Sequence, residues 1–231
     1  MENYRKNLII TADDFGISPL ANAKILALAE AGKLDRTAVM TNGSFGPNDI
    51  ERIKKTGIKL DIHLDTHAEI PADRKLRDGI IMRGIKFLFA YLSDHLHTHS
   101  KEQHWEKQLQ DFQTILGRYP DGINSHQHIH FFPAYFKIII GLAQKNNIFF
   151  IRFGRKGFIL SNNKVHHILY WLRKKDAKVF RASKLDSTDH MISLDWITNL
   201  QKFIRHLPAG TTEIVCHPER EEEFELMQKY F

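Results

Sequence analysis

Two adjacent carboxylates, Asp13 and Asp14, follow the apolar run Asn7–Thr11. Adjacent carboxylates repel each other and are costly to bury, so a folded chain must compensate them. A divalent cation would do so by binding one carboxylate and lowering the pKa of the other. The alternative is helix capping, in which Asp14 or Ser18 accepts a hydrogen bond from the helix that follows. The pair alone leaves both interpretations open.

Three histidines, His126, His128 and His130, alternate with other residues. In an extended chain this spacing puts their side chains on one face. Neutral imidazole is a common metal ligand, so the segment predicts metal binding. The alternative is that the rings only pack against the two phenylalanines that follow them.

His63 and His217 stand at the ends of two further predicted strands, Ile58–Leu64 and Thr212–Cys216. His63 has apolar neighbours, so it could be a ligand or a hydrogen-bonded core residue. Asp65 follows at the alternate position and could orient a ligand imidazole. A histidine that titrates near neutrality, as His217 could, can protonate a leaving amine.

Short apolar strands alternate with amphipathic helices along the chain, which implies parallel strands joined by crossovers. The predicted strands are Asn7–Thr11, Thr37–Thr41, Ile58–Leu64, Gly122–Ser125, Ile148–Phe153, Lys178–Arg181 and Thr212–Cys216. The predicted helices are 18–31, Asn48–Lys55, Lys101–Leu116, Pro133–Gln144, Asn163–Lys174 and Leu194–His206. This number of units favours an α/β barrel in a single domain, 1–231. In such a barrel, catalytic groups from separate strands meet at the carboxyl ends, where the candidate residues lie.

Composition excludes several classes of protein. The single cysteine, Cys216, rules out an internal disulfide framework, and no apolar stretch approaches the roughly 20 residues of a membrane span. No signal-peptide core follows Met1, so we expect a cytoplasmic protein. The net charge of +6 and the basic residues near Arg152 and Arg173 could attract phosphate, or could be a solvated surface. No RNA-binding pattern appears, so no nucleic-acid partner is expected. Serine-hydrolase, P-loop and dinucleotide motifs are also missing.

Four motifs occur in order: TADDFG at Thr11–Gly16, IHL at Ile62–Leu64, NSHQHIH at Asn124–His130 and VCHP at Val215–Pro218. Together they resemble the YdjC-like carbohydrate deacetylases, which include the chito-oligosaccharide deacetylases. The resemblance implies a TIM-like (β/α) barrel, distorted or incompletely closed, related to the polysaccharide deacetylases. It also implies one divalent metal ion, Mg or Zn, and hydrolysis of an N-acetyl group from an amino sugar with release of acetate. A homodimer is suggested by the family alone.

By motif position, the resemblance implies that Asp14, His63 and His126 bind the metal and that Asp13 is the catalytic base. It assigns the general acid to His217, and His128 is the alternative that we consider for this role. Contacts to substrate or support of the ligands are expected from Phe15, Asp65, His128, His130 and Arg152, and stacking on a sugar from Phe131 and Phe132. Specificity is expected in Ala68–Gly84 and Arg152–Phe158.

Some positions depart from the family pattern. Asn124 stands where an aspartate often precedes Ser-His, which would weaken support for His126, and Asp61 replaces a glycine. Charged residues at 219–220 follow the Cys-His-Pro motif, where small ones are usual. The segment Glu219–Phe231 is short, so a final element could be missing and the barrel open there. Two other functions stay open: a metal-dependent phosphoesterase, which the basic surface favours, and a non-catalytic sugar-binding relative.

Overall fold

The computed structural model describes residues 4–66, 98–159 and 163–231. Within them, eight parallel strands form one sheet in the order β5-β4-β3-β2-β1-β8-β7-β6. The strands are β1 (Leu8–Phe15), β2 (Arg36–Val39), β3 (Lys59–Leu64), β4 (Gly122–Ser125), β5 (Phe150–Ile151), β6 (Gly157–Phe158), β7 (His190–Ser193) and β8 (Thr212–Cys216). The helices are α1 (Pro19–Glu30), α2 (Asp49–Lys55), α3 (Thr98–Leu116), α4 (Pro133–Lys145), α5 (Lys164–Ser183), α6 (Leu200–Arg205) and α7 (Glu221–Tyr230).

The sheet curls into a half-barrel, which confirms the expected α/β barrel-like class. β1 lies at its centre between β2 and β8, and no pairing joins β5 to β6 in the described part of the chain. The opening expected near the C-terminus is therefore elsewhere, because β8 pairs with both β1 and β7. The Glu-rich segment after β8 forms α7 instead of leaving a gap.

Local sequence explains how α1 follows β1. Ser18 caps the helix, accepting a hydrogen bond from the backbone nitrogen of Ala21 at 3.1 Å, and Pro19 occupies the first turn. Gly32 ends this segment with a φ of +71°. The buried side chains of α1, including Ile25 and Leu28, join the core against the strands. None of the helices in the described ranges is long and apolar enough to cross a membrane.

Two predicted elements were wrong or incomplete, and two strands were not predicted. Lys178–Arg181 is the end of α5, because Leu169, Leu172 and Phe180 are buried at helical spacing and extend the helix through it. The predicted helix Leu194–His206 is a short turn followed by α6. Strand β6 is only two residues long, and β7 contains only two consecutive apolar residues, Met191 and Ile192.

Candidate active site

The end of β1 departs from regular strand pairing at Asp13 and Asp14. Its register with β2 is regular up to Ala12 and shifts before Phe15. Asp14 has a φ of 70°, a left-handed conformation that aspartate tolerates better than most residues. A regular strand would send adjacent carboxylates to opposite faces, whereas a bulge re-aims them. Both carboxylates lie near His63, whose Nε2 is 3.9 Å from Asp13 Oδ2 and 3.2 Å from Asp14 Oδ1.

Asp14, His63 and His126 form a compact cluster of ligand atoms. His126 Nδ1 lies 2.9 Å from Asp14 Oδ1, and the two imidazoles meet edge to face with centroids 5.5 Å apart. One ligand atom from each residue lies within 4.8 Å of the other two. The carboxylate of Asp14 therefore faces imidazoles, and helix capping is the role of Ser18.

Asn124 fixes the protonation pattern of His63. The Nδ1 of His63 donates a hydrogen bond to Asn124 Oδ1 at 2.5 Å, which leaves Nε2 directed at Asp14. An imidazole lone pair against a carboxylate oxygen is repulsive unless a proton or a cation lies between them. Burial opposes a charge on His63, but the carboxylates of Asp13 and Asp14 outweigh it and raise its pKa. The hydrogen-bond partner of Asn124 is therefore His63. The expectation that the residue at position 124 orients His126 was wrong.

Arg152 holds Asp13 with a bidentate pair of hydrogen bonds. Its Nη1 and Nη2 each donate to one carboxylate oxygen at 2.7 Å, while Nε donates to Glu213 at 2.9 Å. All three side chains are buried. Burial alone would raise the pKa of Asp13, but Arg152 and His63 oppose it and hold that pKa well below its usual range. Asp13 is therefore ionised and fixed in position.

A second buried ion pair accounts for Asp61. Arg36 donates from Nε at 2.9 Å and from Nη2 at 2.5 Å to the two oxygens of Asp61. The interior of the half-barrel then holds two guanidinium groups and four carboxylates, belonging to Arg36, Arg152, Asp13, Asp14, Asp61 and Glu213. Asp14 is the one carboxylate of this set that binds neither guanidinium group, which suits it to a divalent cation. The donor set of Asp14, His63 and His126 fits such an ion.

The histidine-rich segment is not extended, so the expectation of three imidazoles on one face was wrong. His126–Phe131 forms a tight turn in which Gln127 and His128 have φ angles of 54° and 55°. The three side chains diverge as a result. Only His126 faces the carboxylate of Asp14.

His130 binds the backbone of Arg152. Its Nε2 donates to the carbonyl oxygen of Arg152 at 3.0 Å, and its Nδ1 accepts from Ser125 at 2.7 Å. Burial and the nearby charge of Arg152 hold the pKa of His130 well below its usual value, so the ring is neutral. Phe131 packs on this ring with centroids 4.3 Å apart, and it is fully buried.

His217 follows β8 and is held by Glu223 from α7. The backbone nitrogen of His217 donates to Glu223 Oε2 at 2.8 Å, and its Nδ1 lies 3.8 Å from the same oxygen. Burial would lower the pKa of His217, but Glu223, Asp14 and Asp13 raise it. The sequence analysis missed Glu223, whose only signal is a glutamate in the first turn of a helix just after the histidine.

The other residues that the sequence analysis singled out, Phe15, Asp65 and Arg173, make contacts within the fold. Phe15 is fully buried and packs on Phe45 with centroids 5.4 Å apart. The carboxylate of Asp65 accepts a hydrogen bond from the backbone nitrogen of Thr66 at 2.7 Å. Arg173 is buried and donates to the carbonyl oxygen of Gly154 at 2.6 Å, so this basic residue belongs to the fold. The specificity segment expected at Ala68–Gly84 lies outside the described residues.

The fold and the site define a class: a parallel α/β half-barrel with an aspartate and two histidines clustered at the carboxyl ends of its central strands. A family model described as YdjC-like protein matches residues 7–229. The chain belongs to this YdjC-like family, which confirms the resemblance of its motifs.

Three relatives named carbohydrate deacetylase are similar to the chain. The protein of Mus musculus is 22% identical over 249 residues, covering 93% of this chain and 78% of the relative. That of Halalkalibacterium halodurans is 28% identical over 216 residues, covering 91% and 84%. That of Homo sapiens is 24% identical over 160 residues, covering 66% and 50%.

Two solved structures share the fold. A putative cellobiose-phosphate cleavage protein from Enterococcus faecalis V583 has a TM-score of 0.56 and 16% identity, covering 91% of this chain and 80% of that chain. An uncharacterised protein from Agrobacterium tumefaciens C58 has a TM-score of 0.52 and 9% identity, covering 96% and 81%. At these identities the likeness shows the fold alone.

Proposed function

We propose that this protein is a metal-dependent carbohydrate deacetylase, a hydrolase that removes an N-acetyl group from an amino sugar and releases acetate. The observation that carries the proposal is the buried cluster of Asp14, His63 and His126 beside the ionised Asp13. Membership of the YdjC-like family, in which similar proteins are named carbohydrate deacetylase, gives the substrate class.

Asp14, His63 and His126 would hold one divalent cation, Mg or Zn. Two imidazoles favour zinc, since magnesium prefers oxygen ligands. When bound, the cation supplies a Lewis acid that polarises the acetamide carbonyl and lowers the pKa of a coordinated water.

Asp13 accepts the proton of the attacking water in this proposal. Arg152 binds both of its oxygens, so the carboxylate stays ionised and cannot rotate away. The same pairing lowers its basicity, so its action as a base depends on the cation making the water more acidic.

His217 donates a proton to the departing amine. Its ion pair with Glu223 favours the protonated imidazolium that a general acid requires. The alternative acid, His128, is disfavoured because burial and Arg152 lower its pKa to about 3, so its ring carries no spare proton at neutral pH.

The test is a mass-spectrometric screen of acetylated amino sugars for the loss of one acetyl group, run with different added metals. We expect turnover by the wild-type protein and none by Asp14→Ala, which should also lack metal. Asp13→Asn should keep its metal and lose turnover. Release of acetate by Asp14→Ala at the wild-type rate would show the mechanism to be wrong.

The same screen decides between the remaining functions. A phosphate ester assayed in parallel tests the phosphoesterase, which is less favoured because Arg152 already binds two carboxylates. Bound metal without turnover on any acetylated sugar would favour a non-catalytic sugar-binding protein. The single domain, the homodimer and the cytoplasmic location stay predictions, to be tested by limited proteolysis, sedimentation and cell fractionation.

A further inference from the structure

Positive charge is concentrated on two helices that pack against each other, α4 and α5. Their sequences contain eight basic residues and one acidic residue, a net charge of +7, whereas the whole chain carries +6. All other residues together therefore have a net charge of −1. A charge asymmetry of this kind indicates a negatively charged partner for these helices.

One long side of α5 is exposed. Leu169, Leu172 and Phe180 bury the opposite side in the core, and the single acidic residue of the helix, Asp176, is buried as well. The exposed side, which we call the α5 face, recurs at helical spacing of three or four residues. It consists of Ile168, Trp171, Lys174, Lys175, Lys178 and Arg181. The α5 face is thus apolar near the start of the helix and basic along the rest, with no acidic side chain of α5 on it.

The apolar part of this face is unusually open to solvent. Ile168 and Trp171 lie one helical turn apart and are 57% and 55% exposed in the part of the chain that the structure describes. The ammonium group of Lys175 lies 3.6 Å from the ring centroid of Trp171, so the indole and a cation form one unit. Exposed Trp and Ile beside lysines are typical of helices that lie in a membrane interface, where lysine stems cover apolar surface and their ammonium groups reach outward.

The basic part of the face lacks compensating acidic groups. Apart from Lys175, which lies within electrostatic range of the buried Asp176, its basic side chains make no ion pair with a carboxylate among the described residues. Lys137, exposed on α4, lies within range of the same carboxylate, so α4 extends the basic surface. Two copies of such a surface would repel each other, whereas an anionic surface would be complementary to it.

We propose that the α5 face binds the surface of a membrane that contains anionic phospholipids. The ammonium and guanidinium groups bind the charged headgroups, and the side chains of Ile168 and Trp171 enter the boundary between headgroups and acyl chains. With 20 residues, α5 is about 30 Å long and lies along the membrane. A nucleic acid would also accept the positive charge, but it offers no apolar layer to Ile168.

This binding would bring the candidate active site close to the lipid headgroups. Because α5 follows β6, its first turns begin at the carboxyl edge of the sheet, where the catalytic candidates lie. His166 in these turns packs on Trp196 from the turn after β7, with ring centroids 5.8 Å apart. The apolar end of the α5 face is therefore the end next to the site. The proposal itself does not depend on the reaction that the site catalyses.

The experiment is flotation of the full-length protein with vesicles of phosphatidylcholine alone or of phosphatidylcholine mixed with phosphatidylserine. We expect binding to the mixed vesicles and at least about tenfold weaker binding to the neutral ones. The double substitution Lys174→Gln and Lys178→Gln should weaken binding to the mixed vesicles about 25-fold, which is about fivefold for each lost charge.

A matched control removes the same charge elsewhere. Lys55→Gln combined with Lys107→Gln changes two exposed lysines on α2 and α3, which pair with Glu51 and Asp111. Distant charges are screened by salt, so this variant should change the affinity for the mixed vesicles less than about twofold. All these substitutions alter exposed side chains, and each variant should melt at the wild-type temperature.

Contact of Trp171 with the bilayer has its own readout. Phosphatidylcholine with brominated acyl chains, mixed with phosphatidylserine, should quench the tryptophan fluorescence of the wild-type protein. Trp171→Phe keeps an aromatic ring and should still bind these vesicles, but the quenching should be lost. The other two indoles are less accessible, since Trp105 is fully buried and Trp196 is partly buried.

Several outcomes would overturn the proposal. These are equal binding of the wild-type protein to both kinds of vesicle, equal losses in the two double variants, and quenching that is missing in the wild type or unchanged in Trp171→Phe. Binding of a single-stranded oligonucleotide in place of vesicles, lost with Lys174→Gln and Lys178→Gln, would assign the face to nucleic acid and also overturn it. None of these measurements uses deacetylation, so failure of the proposed function would leave the membrane proposal intact.

Discussion

Two buried charged clusters lie side by side in this half-barrel, and they are stabilised in opposite ways. In the first, the guanidinium groups of Arg152 and Arg36 bind carboxylates through pairs of hydrogen bonds. In the second, the carboxylate of Asp14 contacts the imidazoles of His63 and His126. The carboxylates of the first cluster have permanent counter-charges. The carboxylate of the second is compensated by protons on the imidazoles or by a cation, both of which can exchange with solvent.

The difference shows how one pair of adjacent aspartates can serve two purposes. The bulge in β1 places Asp13 against the fixed charge of Arg152 and Asp14 against exchangeable partners. A carboxylate with a permanent partner is held ionised and oriented. A carboxylate without one is open to a ligand. Each of the following predictions alters one side of this comparison.

The largest effect on stability is expected from Arg152→Met. The substitution leaves Asp13 and Glu213 buried without the guanidinium group that binds them, which costs about 3–5 kcal/mol of unfolding free energy. Denaturation in urea measures it. The control is Arg155→Met, which removes an exposed pair with Asp186 and should cost less than about 1 kcal/mol. Equal losses in the two variants would mean that the buried pairing is not what stabilises this cluster.

Asp14→Asn should have the contrasting effect, on function rather than on the fold. In the metal-free protein the substitution removes only the contacts of Asp14 with His63 and His126, so it should cost less unfolding free energy than Arg152→Met. Loss of the cation should slow deacetylation on the order of 10³-fold. Metal content and urea denaturation after chelation test both halves. Destabilisation of the metal-free variant to the level of Arg152→Met would remove the distinction between the clusters.

A smaller effect, on metal affinity, is expected from Asn124, a neutral residue that binds His63 of the second cluster. Asn124→Ala removes the acceptor that orients His63 and should weaken metal binding about 10–100-fold. Asn124→Asp restores an acceptor and should bind metal at least as tightly as the wild type. Titration against a metal-responsive chelator measures both variants. Wild-type affinity in Asn124→Ala would show that the ring of His63 is held by its packing alone.

The sequence predicted which residues meet, but not how they are arranged. Asp13, Asp14, His63, His126 and His217 could be placed at one edge because parallel strands bring their carboxyl ends together. That inference needs only strand positions, and the structure places all five there.

The arrangement depends on contacts between distant parts of the chain. Arg152 binds Asp13 across a separation of 139 residues, and no local pattern encodes that pairing. The left-handed turn at Gln127 and His128 overrides the alternation that the histidine spacing suggested. The four residues Lys178–Arg181 alone do not reveal the long helix that contains them.

The smallest expected effect concerns Asp176, a buried carboxyl group that binds neither a guanidinium group nor an imidazole among the described residues. Asp176 is buried on α5, and its Oδ2 has no hydrogen-bond partner among the described residues. Burial raises its pKa from 3.8 to about 7, against the opposing charges of Lys137 and Lys175. Because the folded-state pKa is the higher one, the stability it contributes is complete at low pH and is lost as the pH rises through about 7.

Asp176→Asn cannot ionise, so it should melt higher than the wild type above pH 7 and at nearly the same temperature near pH 4. An increase on the order of 2–4 °C corresponds to about 1 kcal/mol for a chain of this size. Calorimetric melting across this pH range measures the difference, and Asp186→Asn, at an exposed aspartate, is the control. A pH-independent difference would contradict the assignment. The expected result would show that burial alone neutralises a carboxyl group here, so that Asp13 stays ionised because of Arg152.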